Sequence, residues 1–424
     1  MGPMRPGFDA RAKPRRPGAL LVVVLAAFGA LVGLGGYTAY RVAAFTGSVF
    51  TGSSPPPALR EALPAPEPDE IEAEAEAGAV ATPAAAPEAG AGTVVPARAA
   101  SPPATPAATA TPAVDETTII GKLRAGRRVT FLLIGYGGLG HDGPYLTDAL
   151  VVVSFEPKTG QLALFNLPRD LWVQTPTAGG RAGPYRKVNE LYSLGLGQAG
   201  ITGAPAAPAD HDRAAWLVAA AAQQVLGLPI DGWASADFDA VRRVVDGLGG
   251  VVVDVETSFD DYLYPRHDDS SVDAGVMHVH FDAGPQRLTG ARALQYVRSR
   301  HAEQDGGDFG RSRRQQRLLL ALKDQMLTPA TLPKVFQLME AVQGHVRTSL
   351  SLAEARDLLR YGQDRNGGVQ ATPALIDTRE LLVGAMSEGG ASILVPKAGA
   401  GNYGAIHRFV RAALRGNQAL ARAR

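Results

Sequence analysis

The sequence predicts an α/β domain, and two observations predict this fold class. Short apolar runs of strand length, such as residues 129–134 and 149–155, end in turns that contain glycine or proline. Longer segments with helical periodicity, such as residues 238–248, are interspersed with these runs. Because strands that alternate with helices are typical of α/β folds, we expect this class for the folded part of the chain.

The N-terminal 40 residues predict a membrane anchor. A basic segment at 1–16 precedes an uncharged run over 17–40, which is long enough to cross a hydrocarbon layer of roughly 30 Å as a helix. The basic flank should stay in the cytoplasm, which places the rest of the chain outside the cell. A cleaved signal peptide is the alternative, but the run is long for one and no Ala-x-Ala site follows it closely.

A spacer is expected between the membrane helix and the folded domain. Residues 41–116 are dominated by alanine, proline, glycine and small polar residues, with an acidic patch and few large apolar side chains. Such a composition does not bury a core, so we expect this segment to be disordered. Proline and repelling carboxylates extend a chain, and the spacer should hold the domain away from the membrane.

The folded part is expected to begin at residue 117, and its elements follow in order. The first half contains strands at 129–134, 149–155 and 161–166, of which the last two form a hairpin. Helices are then expected to open near 186–190 and to cover 213–226 and 238–248, before a core strand at 251–255. We assign residues 117–328 to the main folded domain.

The remaining residues are predicted to form a C-terminal extension over 329–416 that packs on this domain, followed by a flexible tail at 417–424. Amphipathic helices are expected at 332–343 and 352–361, short strands at 378–383 and 392–396, and a final helix at 403–414. We find no residue pattern in this extension that indicates chemistry of its own.

Composition excludes several classes of function. The formal net charge is only +1, so the overall electrostatics give no reason to expect a nucleic-acid partner. The absence of cysteine excludes disulfides, zinc–thiolate sites and a cysteine nucleophile. The spacing of His141, His278 and His280 does not predict a metal site.

A local basic cluster lies within residues 288–316. Tyr296, Arg298 and Arg300 alternate, and as a short strand they would point to one face. Two cations on one face indicate an anion between them. A solvated basic surface is the alternative interpretation of this segment alone.

The helix that follows is expected to add to the same site. Asp308 is suited to cap it, and the spacing of Arg311, Arg314 and Gln315 places them on one side near its start. A helix N-terminus carries partial positive charge, and arginine forks match phosphate oxygens. The segment therefore predicts a phosphate or pyrophosphate site.

Eight segments in order resemble the LytR-CpsA-Psr family of proteins, and they cover roughly residues 129–326. They are FLLIG at 131–135, TD at 147–148, LPRD at 167–170, KVN at 187–189, VDGLGGV at 245–251, residues 284–294, YVRSR at 296–300, and DFGR at 308–311 followed by RQ at 314–315. Each motif is weak alone, whereas eight in order with sensible spacing are a strong signal.

The resemblance implies a fold and a function. The fold would be a central twisted mixed sheet flanked by helices, with an apolar groove for a lipid tail. The function would be that of a membrane-anchored phosphotransferase outside the cytoplasm. Such an enzyme moves a glycopolymer from a polyprenyl-pyrophosphate carrier to peptidoglycan, with Mg²⁺ or another divalent cation beside the pyrophosphate.

The resemblance also implies roles for particular residues. The residues that match the family's pyrophosphate-binding arginines are Arg169, Arg298, Arg300 and Arg311. Further substrate contacts are expected from Lys187, Arg314, Gln315 and Asp308. Asp148 matches an aspartate that holds the metal, and a carboxylate is a suitable ligand for Mg²⁺.

Two departures from the family's pattern leave alternatives open. The family commonly has an aspartate just after the glycine of the first strand, where this chain has glycines at 137 and 138, and an arginine where this chain has Leu146. Asp142 is our candidate for the missing metal ligand. The alternative functions are a non-catalytic protein that binds anionic glycan or polyprenyl phosphate, and a pyrophosphatase that uses water as the acceptor. Transcriptional regulation does not fit the predicted topology.

Overall fold

The structure is a computed structural model that describes residues 49–54, 118–141, 143–177, 182–266, 275–326, 338, 341–364, 370–376 and 380–415. The predicted membrane helix, all of the predicted spacer except residues 49–54, and Asp142 lie outside the described residues. Among the residues that are described, no helix combines the length and the hydropathy needed to span a membrane.

The described strands and helices have the following bounds. The strands are β1 (Val129–Tyr136), β2 (Thr147–Glu156), β3 (Gln161–Asn166), β4 (Trp172–Pro176), β5 (Ala182–Lys187), β6 (Gly232–Asp237), β7 (Val251–Val255), β8 (Phe259–Pro265), β9 (Val276–Phe281), β10 (Gly284–Leu288), β11 (Val346–Thr348), β12 (Gln370–Leu375), β13 (Leu382–Met386) and β14 (Ser392–Pro396). The helices are α1 (Ile119–Arg124), α2 (Glu190–Gly195), α3 (Gln198–Thr202), α4 (Pro208–Leu226), α5 (Phe238–Gly247), α6 (Gly290–Arg298), α7 (Gly307–Met326), α8 (Leu352–Asp364) and α9 (Gly404–Leu414).

A six-stranded mixed sheet forms the centre of the molecule, in the order β11-β6-β1-β2-β3-β12. Strands β1, β2 and β3 are antiparallel neighbours, and β6 and β12 pair in parallel with β1 and β3. Helices pack on the sheet, so the prediction of an α/β fold with a central mixed sheet is confirmed. The predicted hairpin of β2 and β3 is also confirmed.

The two faces of the sheet bury separate cores because successive side chains of a strand point to opposite faces. Leu132 and Ile134 of β1 belong to the core that includes α4 and α9. Val129 and Phe131 belong to the opposite core, with residues of α1 and α8. Each fully buried side chain of this size stabilises the fold by about 1.5–3 kcal/mol, which explains the continuously apolar character of β1.

A third core lies beside the sheet. It gathers α5, α6 and two small antiparallel sheets, β7 with β10 and β8 with β9. Strand β7 alternates between buried and exposed residues, because only one of its faces packs on this core. The predicted strand at 251–255 is thus confirmed, but it belongs to this small sheet and not to the central one.

The expectation of a strand at 296–300 is wrong. Residues Gly290–Arg298 form helix α6, whose N-terminus is capped by the Thr289 side chain accepting a hydrogen bond from the Arg292 N–H. The apolar residues Ala293, Leu294 and Val297 recur at helical spacing and face the third core. This helical pattern outweighs the short alternation of Tyr296, Arg298 and Arg300 on which the strand prediction relied.

Two strands from the region after residue 329 belong to the central sheet. We assigned them to an extension packed on the domain, but β11 and β12 are the two edge strands of the six-stranded sheet. Strands β13 and β14 form a separate hairpin, and α9 ends the described chain at nearly the predicted bounds. Strand β6, which lies between β1 and β11, has no counterpart among the predicted elements.

Candidate active site

Asp148 lies at the start of β2 and receives two guanidinium groups from distant parts of the chain. Nη1 of Arg169 donates a hydrogen bond to Oδ1 of Asp148 at 2.8 Å. Nη1 of Arg311, on the first turns of α7, lies 3.5 Å from the same oxygen. Arg169 is held in the turn after β3, where its carbonyl accepts a hydrogen bond from the Asn189 N–H. The ends of two adjacent strands and a helix start therefore meet at one carboxylate.

Asp308 is a second carboxylate that contacts Arg169 and Arg311, and it also contacts Arg300. Its Oδ1 lies 3.0 Å from Nε of Arg300 and 3.2 Å from Nη2 of Arg311. Its Oδ2 lies 3.8 Å from Nε of Arg169. Three arginines thus share the two carboxylates of Asp148 and Asp308, and the sum of three positive and two negative charges leaves one positive charge. We call these five residues the arginine cluster.

Lys187 and Asp170 extend the arginine cluster. Nζ of Lys187, the last residue of β5, donates to Oδ1 of Asp170 at 2.7 Å. The other oxygen of Asp170 lies 3.7 Å from Nε of Arg169. Arg169 therefore lies near the carboxylates of both Asp170 and Asp148, and its contact with Asp148 is the shorter one.

The electrostatics of the arginine cluster keep Arg311 and Asp308 ionised at neutral pH. Burial lowers the pKa of Arg311 to about 10, although Asp308 and Asp148 oppose this shift. Burial raises the pKa of Asp308, but Arg311, Arg300 and Arg169 outweigh it, and the net pKa lies below its ordinary value. The guanidinium and carboxylate groups therefore stabilise each other's charged forms.

Three buried donors in the arginine cluster make no hydrogen bond to any of the described residues. They are the Nε–H groups of Arg169, Arg300 and Arg311, although carboxylate oxygens of Asp308 lie near those of Arg169 and Arg300. A buried donor without an acceptor costs about 1–3 kcal/mol. An anionic ligand with several oxygens would supply the missing acceptors, which supports a phosphate-binding role.

A cavity of about 390 Å³ adjoins the arginine cluster. Its lining includes Asp148, Arg169, Arg300 and Arg311 together with many apolar side chains. The apolar contributors come from β1, β2, β6 and the helices α5 to α7, and examples are Leu133, Val151, Phe238, Val241, Leu294 and Leu318. The site therefore combines a charged group of residues with a predominantly hydrophobic space.

Arg298 lines the same cavity but makes different contacts from the other predicted arginines. As the last residue of α6, it places its guanidinium over the ring of Phe238, 4.4 Å from the centroid, and near the ring of Tyr264. Its Nη1 donates to the Tyr264 hydroxyl at 3.4 Å. Stacking on aromatic rings orients the guanidinium group of Arg298 beside the cavity.

Gln315 lies on the same side of α7 as Arg311. Its Nε2 donates to the backbone carbonyl of Asp148 at 3.4 Å, and its side chain lines the cavity. The structure therefore brings Gln315 to the arginine cluster, as the helical spacing from Arg311 predicts.

The structure does not bring Arg314 to the arginine cluster. Its side chain is fully buried beneath the loop that joins α6 to α7. It donates from Nε to the carbonyl of Tyr296 at 2.9 Å, from Nη1 to the Asp305 carboxylate at 2.9 Å, and from Nη2 to the carbonyl of Ser299. This residue supports the loop that carries Arg300.

Asp261 is a residue of the site that the sequence did not reveal. Its buried Oδ2 accepts hydrogen bonds from the Ser299 hydroxyl at 2.6 Å and from the N–H groups of Arg300 and His301 at 3.0 and 3.2 Å. Oδ1 accepts from the Leu263 N–H at 3.0 Å. The carboxylate thereby fixes the backbone on which Arg300 stands.

Of the metal ligands that we predicted, the described residues supply one carboxylate, that of Asp148. Of the two predicted metal ligands, Asp142 lies outside the described residues, and the Asp148 side chain is 32 % exposed. The resemblance led us to expect a second aspartate close to Gly137, where an added Cβ would lie 2.9 Å from Cβ of His141. The donor set therefore suits a cation held by one carboxylate, with phosphate oxygens and water as its other ligands.

The mixed sheet, the arginine cluster and the apolar cavity define an α/β protein with a cationic site beside a hydrophobic space. The chain belongs to the LytR_cpsA_psr family, whose sequence model matches residues 104–393. The family expected from the eight motifs is therefore confirmed.

Two relatives show how far the similarity extends. The polyisoprenyl-teichoic acid–peptidoglycan teichoic acid transferase TagV of Bacillus subtilis is 31% identical over 208 residues, which cover 49% of this chain and 46% of TagV. TagU of Bacillus cereus, which carries the same transferase description, is 25% identical over 237 residues, or 56% of this chain and 65% of TagU. The matched region thus spans about half of one relative and less than two thirds of the other.

The matches to solved structures cover a larger share of both chains. The crystal structure of Bacillus subtilis TagV has 25% sequence identity and a TM-score of 0.47, and the match covers 69% of this chain and 98% of that one. The crystal structure of Bacillus subtilis TagT has 20% identity and a TM-score of 0.44, with 69% and 91% covered.

Proposed function

We propose that this protein is a phosphotransferase that moves a glycopolymer from a polyprenyl-pyrophosphate carrier to a hydroxyl of peptidoglycan during cell-wall assembly. The observation that carries the proposal is the convergence of Arg169, Arg300 and Arg311 beside an apolar cavity. A pyrophosphate linked to a prenyl chain has matching chemistry, with an anionic group next to a long apolar one. The transferase descriptions of TagV and TagU agree with it.

In this proposal the arginines supply charge stabilisation. Phosphoryl transfer depends mainly on in-line positioning and on neutralising charge, with little covalent chemistry for the protein to perform. Guanidinium groups that are already oriented by Asp148 and Asp308 need little reorganisation when charge develops on the phosphate oxygens. The buried Nε–H groups of Arg169 and Arg311 offer donors for these oxygens.

The chemical step would be a displacement at phosphorus. The acceptor oxygen forms a bond to the phosphorus that carries the glycan, its proton is lost, and the bond to the polyprenyl phosphate breaks. Polyprenyl phosphate leaves with its tail in the apolar cavity. Arg298, stacked beside that cavity, is placed to interact with the leaving phosphate.

A divalent cation, for which we propose Mg²⁺, would be held by Asp148. When bound, it would neutralise charge on the pyrophosphate oxygens. Because Asp148 also pairs with Arg169 and Arg311, this carboxylate would link the position of the cation to that of the guanidinium groups. Asp308 would not hold the cation in this proposal. It contacts Arg169, Arg300 and Arg311, and its role would be to orient their guanidinium groups.

Membrane attachment belongs to the same proposal. The basic segment at 1–16 and the uncharged run at 17–40 would place the folded domain outside the cytoplasm. A substrate with a prenyl tail lies in the bilayer, and an anchored domain would act at its surface.

The transfer activity is tested with purified full-length chain in detergent, a polyprenyl-pyrophosphate-linked glycan, Mg²⁺ and peptidoglycan. We expect release of polyprenyl phosphate that depends on both Mg²⁺ and peptidoglycan. Arg311→Lys should lower this rate by at least about 100-fold, because lysine cannot reproduce the forked contacts of a guanidinium. Arg408→Lys, at an exposed position on α9, is the matched control and should retain the wild-type rate.

The same assay separates the two alternative functions. A non-catalytic binding protein is favoured by Leu146 and by the lack of room for a side chain at Gly137. It would retain the lipid-linked glycan without releasing polyprenyl phosphate. A pyrophosphatase would release polyprenyl phosphate at the same rate when peptidoglycan is omitted. Either outcome would overturn the transfer reaction.

A further inference from the structure

The hairpin of β8 and β9 carries three side chains whose ligand atoms converge on its surface. Asp260 of β8 stands opposite His280 of β9 in the strand register. His278 lies two residues before His280 and therefore projects from the same face. Oδ1 of Asp260 lies 2.6 Å from Nε2 of His278 and 2.8 Å from Nδ1 of His280. One nitrogen of each imidazole and one carboxylate oxygen lie within 4.8 Å of one another.

Both imidazoles are oriented by a further neighbour. Nε2 of His280 lies 3.1 Å from Oδ1 of Asp282, while Nδ1 contacts Asp260. A metal ion that binds Nδ1 would displace the proton of that contact, and the Asp282 carboxylate would keep the remaining proton on Nε2. The ring of His278 stacks on the ring of Tyr262, with centroids 4.2 Å apart and an angle of 8° between planes. The three candidate ligands are thus held in place before any ion arrives, which reduces the entropic cost of binding one.

We propose that Asp260, His278 and His280 bind a divalent transition-metal ion, for which Zn²⁺ is the best match. Two imidazoles and one carboxylate are a donor set that Zn²⁺ accepts, with water in the fourth tetrahedral position. Mg²⁺ prefers oxygen ligands and is a poor match. The proposal is independent of the transfer reaction, because none of these three residues lines the cavity.

The bound ion would join the two strands of one wall of the cavity. Asp261, the residue after Asp260, holds the backbone of Arg300, and Tyr264 of the same strand lines the cavity. The register of β8 and β9 is irregular between Asp261 and Tyr264, so the hairpin has fewer regular hydrogen bonds there. Metal ligands on both strands would stiffen this part of the hairpin. The site therefore has a structural role in our proposal.

The test uses the full-length chain, purified without a histidine tag and stripped of metal with EDTA. Titration calorimetry with ZnCl₂ should show one saturable site per chain, and Zn²⁺ should raise the thermal unfolding temperature. The double variant His278→Gln/His280→Gln should bind at least about 100-fold more weakly, because both imidazole ligands are lost. Mg²⁺ at the same concentration should affect the wild type and the double variant equally, because the two imidazoles are poor ligands for it.

Two further variants complete the test. Asp260→Asn removes the carboxylate ligand and should weaken Zn²⁺ binding about tenfold or more. His407→Gln is the control and should bind like the wild type, because this histidine of α9 lies outside the proposed site and its Nε2–H donates to the Gln224 carbonyl. Unfolding in EDTA verifies that the exposed substitutions leave the fold intact. The proposal is overturned if the wild type shows no saturable binding, or if the double variant binds Zn²⁺ like the wild type.

Discussion

Asp261 and Arg300 are joined by a hydrogen bond of 3.0 Å, in which the backbone N–H of Arg300 donates to the buried carboxylate. This contact links β8 of the third core to the loop before α7. The guanidinium of Arg300 extends from the same backbone to Asp308, with 3.0 Å between Nε and Oδ1. Asp261 lies outside the arginine cluster but determines the position of Arg300 within it.

Replacing Asp261 should destabilise the protein and displace Arg300. In Asp261→Asn, one carboxylate oxygen becomes an NH₂ group that cannot accept the N–H donors now bound to it. We expect the free energy of unfolding to fall by about 1–3 kcal/mol, the cost of buried donors without acceptors. Urea denaturation measures this change, and Asp254→Asn, at an exposed position of β7, is the control. Equal stability of both variants would contradict the structural role.

The stabilisation from Asp261 should depend on pH in a defined direction. Burial is the largest influence and raises the pKa of Asp261, but hydrogen bonds from Ser299 and from the N–H groups of Arg300, His301 and Leu263 outweigh it, so the net pKa lies below its ordinary value. A carboxyl with a lowered pKa in the folded state contributes stability above the pKa of the unfolded state, and this is lost as pH falls through the folded pKa. The stability difference between wild type and Asp261→Asn should therefore be constant from about pH 7 to pH 5 and shrink below about pH 4.

Arg314 should prove to be a stability residue. Its substitution leaves the carbonyls of Tyr296 and Ser299 and the carboxylate of Asp305 without their buried donor. We expect Arg314→Ala to lower the free energy of unfolding by about 3–5 kcal/mol, as is typical when one partner of a buried charge pair is removed. Arg243→Ala, at an exposed position of α5, should change it little. Thermal and urea unfolding distinguish this result from direct substrate binding, which would lower affinity without lowering stability.

Asp308 should affect the reaction through the arginines. Asp308→Asn removes a negative charge that contacts Arg169, Arg300 and Arg311, so the site becomes more cationic but its guanidinium groups lose an orienting partner. We expect the affinity for inorganic pyrophosphate to stay the same or to increase, whereas kcat for release of polyprenyl phosphate falls about tenfold or more. Calorimetry and the release assay measure the two quantities. A loss of pyrophosphate affinity with unchanged kcat would instead indicate that Asp308 itself contacts the ligand.

Local sequence signals predicted the elements whose ends are marked by turns. The bounds of β3 and β7 were predicted to the residue, because a turn at 157–160 and two glycines at 249–250 delimit them. Strand β6, with the sequence GWASAD, carries no β-branched residue and was missed. Its position comes from parallel pairing with β1, which is a tertiary interaction that a local pattern does not encode.

The site was predictable where the family's motifs are present. The resemblance led us to expect arginines 169, 300 and 311 together, and the structure brings them together. Asp261 was missed because its partners lie about 40 residues away and are reached only through the packing of the third core. The proximity of Asp260 to His278 and His280 was missed for the same reason. The carboxylate is 18 and 20 residues away from the two imidazoles in the sequence, and only the pairing of β8 with β9 brings them together.

Any side chain at position 137 should destabilise the protein as long as His141 keeps its position. A Cβ at Gly137 would lie 2.9 Å from Cβ of His141, whose ring also contacts Phe238 in an edge-on arrangement at 5.1 Å. Gly137→Ala should therefore lower the free energy of unfolding by about 1–3 kcal/mol through overpacking. In a double-mutant cycle, His141→Gly should relieve this clash, so that Gly137→Ala costs at least about 1 kcal/mol less in the His141→Gly background than in the wild type.

Additive effects of the two substitutions would show that the loop shifts freely, and an aspartate at position 137 could then be tested as a second metal ligand. With the expected coupling, Gly137→Asp alone should fail to raise Mg²⁺ affinity, because the steric conflict at Cβ arises before the carboxylate can be placed.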